Sequence, residues 1–208
     1  MTDLTLSHAT AEPDDFGGRK VLFVMAAEAE YGERLRSRIQ PLITGVGPIE
    51  AALSVGITLL RLENSGQSPD LVVSLGSAGS QAAKLGTVYQ VSSVSWRDMD
   101  ASPLGFTKGV TPFVDHPIDM PLPTPVQGLE AGRLSTGADV ISGSEDGSID
   151  ADMVDMETFA VMRACQGFAK PMIGLRGISD GVTELGQLTD WTSILGVMMS
   201  DWRMPWTA

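Results

Sequence analysis

Val154-Asp155-Met156-Glu157-Thr158-Phe159-Ala160 opens a stretch that continues past Lys170-Pro171 to Met172-Ile173-Gly174-Leu175 and ends at Arg176-Gly177-Ile178-Ser179-Asp180-Gly181. Its first part, apolar as far as Phe168, reads as a helix. Pro171 breaks it, and the hydrophobic run that follows reads as a strand delivering an acid into a glycine-bounded turn. In open α/β sheets, ligands sit beyond the strand ends. Glu157 and Asp180 thus flank one helix–strand unit, and an acid pair is the equipment of glycosidic-bond chemistry. The plainer reading is that Asp155 caps the helix and Asp180 serves the turn.

Working outward, Val21 to Met25 reads as a first buried strand ending in Ala26-Ala27-Glu28-Ala29-Glu30. Residues 31–39 suggest a short helix, with Arg34, Arg36 and Arg38 solvated. Pro41-Leu42-Ile43 is a brief strand running into Thr44-Gly45-Val46-Gly47-Pro48, and that turn opens a helix over 49–63. A strand over 70–75 leads to Gly76-Ser77-Ala78-Gly79-Ser80, small residues that let backbone N–H groups approach a ligand, as in anion-binding nests. Val88 to Trp96 reads as a strand. Prolines from Pro112 to Pro125 then argue for a long irregular loop, the kind that carries function or a subunit contact. Arg133 to Thr136 resumes a short strand that ends at Gly137-Ala138-Asp139-Val140-Ile141. Alternating strands and helices predict an α/β protein with helices on both faces of its sheet.

Composition narrows the function. The 208 residues read as one domain, 19–208, behind a disordered polar tail, 1–18. With 14 basic against 26 acidic residues the net charge is −12, which argues against nucleic acid or an anionic membrane as partner. No apolar run is long enough to span a bilayer, and residues 1–18 lack the features of a secretory signal. One cysteine, Cys165, excludes an internal disulfide and fits a reducing cytoplasm. Two histidines and a cysteine, scattered, predict no metal centre and no cofactor.

Taken in order, these turns resemble the nucleoside phosphorylase superfamily, and within it the bacterial 5′-methylthioadenosine/S-adenosylhomocysteine nucleosidases. The blocks that carry the likeness are Glu30, Thr44-Gly45-Val46-Gly47, Leu75-Gly76-Ser77-Ala78-Gly79, Asp98-Met99-Asp100 through Gly105-Phe106, Val154-Asp155-Met156-Glu157 and Ile178-Ser179-Asp180. They are collinear over most of the chain. The resemblance implies a three-layer α/β/α domain with a central mixed sheet. It also implies cleavage of an adenine nucleoside to adenine and a thioribose, and a homodimer.

Residue by residue, the resemblance makes Asp180 the acid that protonates the purine N7 and Glu30 the base that activates water. It makes Glu157 the partner of the ribose hydroxyls, with Asp155 and Met156 beside it. Ser77, Ala78 and Gly79 line the site, Val140 and Ile141 meet the base, and Ser179 orients Asp180. Ala101, Leu104 and Phe106 lie at the subunit interface over the 5′ group. Three departures stand out. The segment between Glu30 and Thr44 is short, Val140 replaces a stacking aromatic, and Asp155 replaces a glutamate. Another purine nucleosidase such as a futalosine hydrolase, a phosphorylase, and a non-catalytic nucleoside-binding protein are the alternatives. Acids at Glu28 and Glu30 weigh against a phosphate site, where arginines are wanted.

Overall fold

The computed structural model describes residues 11–141 and 149–180. Its frame is set by the alternation of β2 (Arg19–Met25). Leu22 and Val24 enter one core, whereas Val21, Phe23 and Met25 enter a second core on the opposite face. β1 (Asp14–Phe16) precedes β2 and pairs with it antiparallel through Gly17 and Gly18, both at positive φ as a two-residue hairpin turn demands. After β2 come α1 (Glu33–Arg36), β3 (Leu42–Ile43), α2 (Pro48–Asn64) and β4 (Leu71–Gly79). The chain continues through β5 (Val88–Trp96), β6 (Met120–Pro121), β7 (Ala131–Thr136), β8 (Met153–Asp155), α3 (Thr158–Gly167) and β9 (Met172–Asp180).

These strands form one mixed sheet, in accord with the expected α/β class. β2 pairs parallel with β3 and β4, and β4 in turn with β9; β5 pairs parallel with β7 and antiparallel with β6 and β9. β8 joins β7 to β4. The path β4–β8–β7–β5–β9 therefore returns to β4, so those five strands close into a ring. α2 and α3 pack against each other over one face, where Ala51, Val55, Leu59 and Leu62 of α2 meet Phe159, Val161, Met162 and Cys165 of α3. Leu35 and Ile39, with Val126 from the long loop, cover the other face. No helix among the described residues is long and apolar enough to cross a membrane.

Four expectations are corrected. Gly76 to Gly79 is strand rather than a turn: Gly76, Ser77 and Ala78 pair with Arg176, Gly177 and Ile178 of β9. β9 likewise runs on through Asp180. Small residues on adjacent strands permit close backbone approach, and read singly they mimic turn signals. The helix expected over 31–39 shrinks to α1, because Gly32 starts it and Ser37 ends it. Finally, residues 14–16, inside the expected tail, are β1, anchored where Phe16 meets Phe23 edge-on at 5.4 Å.

Two glycine substitutions test this packing. A Cβ added at Gly174 of β9 would lie 3.0 Å from Val91 Cγ2 and 3.1 Å from Val91 Cβ, whereas one at Gly56 of α2 meets nothing within 4 Å. Gly174→Ala is expected to cost about 1–3 kcal/mol by overpacking. Gly56→Ala should stabilise by roughly 0.5–1 kcal/mol, since glycine weakens a helix interior. Urea unfolding of both variants measures the contrast.

Candidate active site

Glu30 closes the single helical turn Glu28–Glu30 that follows β2, and it is only 2% exposed. Its Oε1 accepts bonds from the Ser77 backbone N–H and the Ser77 hydroxyl, each at 2.8 Å. Its Oε2 is buried and has no hydrogen-bond partner among the described residues. Glu30 lines a cavity of about 10 Å³ together with Thr44, Gly76, Ser77, Glu157 and Arg176. That volume seats on the order of one water molecule. Gly76 is what lets the floor close in: a Cβ there would sit 3.3 Å and 3.6 Å from the two Glu30 oxygens and 3.7 Å from Arg176 Cζ.

Glu157, the residue before α3, lines the same cavity. Its Oε1 accepts the Gly47 backbone N–H at 2.8 Å. Gly47 can offer that N–H because it holds φ at 100°, a region other residues avoid. Burial, then the charge of Asp155, pushes the Glu157 carboxyl from 4.5 up to about 8, with Glu30 adding to the shift and Gly47 and Arg176 opposing it. Burial also raises Glu30, against the Ser77 hydrogen bonds and the Arg176 charge. Two acids that resist ionisation thus share one small cavity.

Beneath them lies a residue that the sequence reading left without a role. Arg176 of β9 is 2% exposed and sends its donors inward. Nε and Nη2 bond Asp155 Oδ2 at 3.1 Å, Nη1 bonds the carbonyls of Ser74 and Leu175, and Nη2 reaches the hydroxyls of Ser74 and Thr158. Asp155 is equally enclosed. Oδ1 accepts the Thr136 hydroxyl at 2.6 Å, while Oδ2 takes the Thr158 N–H and hydroxyl besides Arg176. The resemblance implies a substrate contact for Asp155. Its carboxylate is instead spent within the protein, one layer behind the cavity.

Other expected residues fall into place unevenly. Ser77 supports Glu30 rather than standing open, Ala78 is buried, and Gly79 ends β4 opposite Asp180. β2 and β9 flank β4 in parallel on either side, so Glu30, which follows β2, and Asp180, which ends β9, lie at the C-terminal ends of parallel strands with β4 between them. The side chain of Asp180 lies outside what the structure describes. Ser179 is buried and Met156 half-buried between the two acids. Val140, 65% exposed, and Ile141 lie in the loop after β7, outside the cavity lining. Ala101, Leu104 and Phe106 are also outside it, on the surface of the long loop, where Phe106 meets Phe113 edge-on at 5.9 Å.

The raised Glu157 carboxyl has a consequence for stability. Because the folded protein holds this proton more tightly than the unfolded chain, its contribution is fully present below pH 4.5 and is lost as pH rises through about 8. Glu157→Gln keeps the oxygen that accepts from Gly47 and removes the charge. Its melting temperature should exceed that of the parent at pH 8.5 and approach it at pH 4.5, a difference that calorimetry at the two pH values detects.

Residues 41–194 match the model of the phosphorylase superfamily. The 5′-methylthioadenosine/S-adenosylhomocysteine nucleosidase of Haemophilus influenzae is 31% identical over 159 residues, 67% of this chain and 67% of its own length. That of Actinobacillus succinogenes is 29% identical over 157 residues, 67% of this chain and 66% of its own length. The chain therefore spans about two thirds of the relatives it matches. Among solved structures, the methylthioadenosine/S-adenosylhomocysteine nucleosidase of Colwellia psychrerythraea, in complex with adenine, superposes with a TM-score of 0.70 at 22% identity. The superposition covers 91% of this chain and 92% of that one, a likeness of fold. The matched region takes in β3 through β9 and every cavity acid except Glu30, and on it the chain belongs to the phosphorylase superfamily.

Proposed function

We propose that this chain hydrolyses the N-glycosidic bond of adenine nucleosides of the 5′-methylthioadenosine and S-adenosylhomocysteine type, giving adenine and the thioribose. One observation carries the reading. Glu30 Oε2, buried and unpartnered, shares with Arg176 and Glu157 a cavity that holds about one water. A water bonded to Oε2 loses its proton to Glu30 as its oxygen attacks the anomeric carbon. The elevated Glu30 carboxyl makes it a better base than an ordinary glutamate. Phosphate is far larger than a water and would face two carboxylates, so the same cavity disfavours phosphorolysis.

Departure of the base leaves positive charge on the sugar. Glu157 accepts the ribose hydroxyls, and its ionised form is favoured as that charge develops. Met156 packs against the sugar. Asp180, at the end of β9, carries the proton to N7 of the leaving adenine, with Ser179 orienting it. Ala78 and Gly79 line the purine side beside Ser77, and the backbone of Val140 and Ile141 meets the base.

The acting form is a cytoplasmic homodimer. Leu104 at 78% and Phe113 at 99% exposure leave the long loop with an apolar tip, and Ile49, Leu53, Ile57 and Leu60 form an exposed stripe along α2. A second copy covering Ala101, Leu104 and Phe106 would remove such surface from water.

Purified protein should release adenine from 5′-methylthioadenosine in phosphate-free buffer, with no acceleration by added phosphate. Asp180→Asn and Glu30→Gln are each expected to slow release by about 10²–10⁴-fold, the usual worth of a general acid or base. Strict phosphate dependence would make the protein a phosphorylase. Release from futalosine alone would make it another nucleosidase, and binding without release a nucleoside-binding protein. Sedimentation at micromolar concentration should find a dimer, and a monomer would remove the subunit contact from the site.

A further inference from the structure

The residues proposed to meet the base lie in a loop that is held with unusual thoroughness. Residues 137–141 leave the end of β7 at Thr136, whose strand partner is Asp155, two residues from Glu157. Each of the first three loop residues is fixed by a different bond. Gly137 N–H donates to the Asp155 carbonyl at 3.1 Å. Ala138 N–H donates to Asp98 Oδ2 at 2.7 Å. The carbonyl and carboxylate of Asp139 both accept from Arg97, Nη2 reaching the carbonyl at 2.7 Å and the carboxylate at 3.1 Å.

Arg97 does more than hold Asp139. Its Nη1 donates to the Ser135 carbonyl at 2.8 Å and the Asp155 carbonyl at 3.0 Å, so one guanidinium joins β7, β8 and the loop. Only 11% of its side chain is exposed, whereas that of Asp139 is 67% exposed. The planar fork is therefore shielded while the residue it holds stands at the surface, the geometry in which arginine and lysine are least interchangeable. Gly137 makes the arrangement possible, because a side-chain carbon there would overlap both Arg97 and Asp98. Asp155 closes the circuit. Its carbonyl takes Arg97 and Gly137, and its carboxylate takes Arg176 under the cavity.

We infer that Arg97 and Asp98 are positioning residues that preset the 137–141 loop for the purine, and that through the Asp155 carbonyl they tie that loop to the floor of the water cavity. The inference rests on the adenine-nucleoside reading above. It assigns a purpose to the first two residues of the 97–106 segment, which the subunit contact does not need. It also offers this chain a substitute for the stacking aromatic that Val140 lacks: base affinity comes from a loop held ready, with little ordering left to do on binding.

Adenine binding tests the inference separately from catalysis. Isothermal titration with adenine should show binding by the parent. Arg97→Gln and Asp98→Ala are each expected to weaken it about tenfold, the scale of a lost charge-assisted hydrogen bond. KM for 5′-methylthioadenosine should rise in step while kcat changes much less. Asp98→Asn keeps an acceptor oxygen for Ala138 and should restore most of the affinity. Asp98 is exposed and makes its loop contact alone, so Asp98→Ala folds even if Arg97→Gln does not. Parent-like adenine affinity in Asp98→Ala overturns the inference, as does a fall in kcat with KM unchanged. A parent protein that does not bind adenine overturns the substrate reading first, and the inference with it.

Discussion

The buried pair of Asp155 and Arg176 is the constraint on which the site depends. Neither side chain is more than 2% exposed. Leaving either charge alone in such surroundings would cost about 3–5 kcal/mol, which locks the two together. The pair spans the closed ring of strands, since Asp155 ends β8 and Arg176 lies on β9, with β4 between them contributing the Ser74 carbonyl and hydroxyl. A buried ion pair is a poor source of net stability, because well-packed apolar residues serve as well. What it supplies here is placement. A fixed positive charge lies under two carboxyls whose burial would otherwise drive them further toward the neutral form.

That placement sets the electrostatic character of the cavity. Glu30 and Glu157 both line it, and Arg176 moderates both. Burial drives both carboxyls toward the neutral form, and that of Glu157 is pushed up to about 8 even with the guanidinium opposing the shift. Asp155 ties down the guanidinium through two of its nitrogens, Nε and Nη2. Substituting aspartate for the glutamate expected at this position shortens that tether by one methylene, and Thr136 and Thr158 fill the remaining bonds.

How much of this was legible in the sequence varied with the physics of each element. β2, β5 and α2 were readable because burial on both faces, β-branching and helical spacing leave a periodic trace. β4 and β9 were seen only in part, since Gly76 to Gly79 and Arg176 to Asp180 carry small residues that serve close strand pairing and look like turns. β1 escaped notice inside a polar stretch, although Gly17-Gly18 is a hairpin signal in retrospect. Among site residues, Glu30 and Glu157 were found as acids beside strand ends. Arg176 was overlooked because a lone arginine in a glycine-rich run reads as exposed turn, and nothing local shows that Asp155 and Ser74 await it. Burial of a charge is a property of the partners, which lie far away in the chain.

The edge of the cavity is built on glycine. The Glu30 carboxylate and the Arg176 guanidinium both approach β4 closely at Gly76, where a side chain would crowd them, and Gly76 still pairs with Arg176 across the strand. One residue further, the Ser77 N–H and hydroxyl take up one Glu30 oxygen and leave the other without a partner. An acid bonded at both oxygens would be a structural group with a depressed pKa and no appetite for a proton. An acid bonded at neither would swing. Asymmetric bonding holds Glu30 in place and leaves one oxygen without a partner among the described residues, at a cost in stability that burial of the surrounding core offsets. The closure of β4, β5, β7, β8 and β9 into a ring is what makes that asymmetry durable, because strands paired on both sides have little freedom to relax and satisfy the buried oxygen.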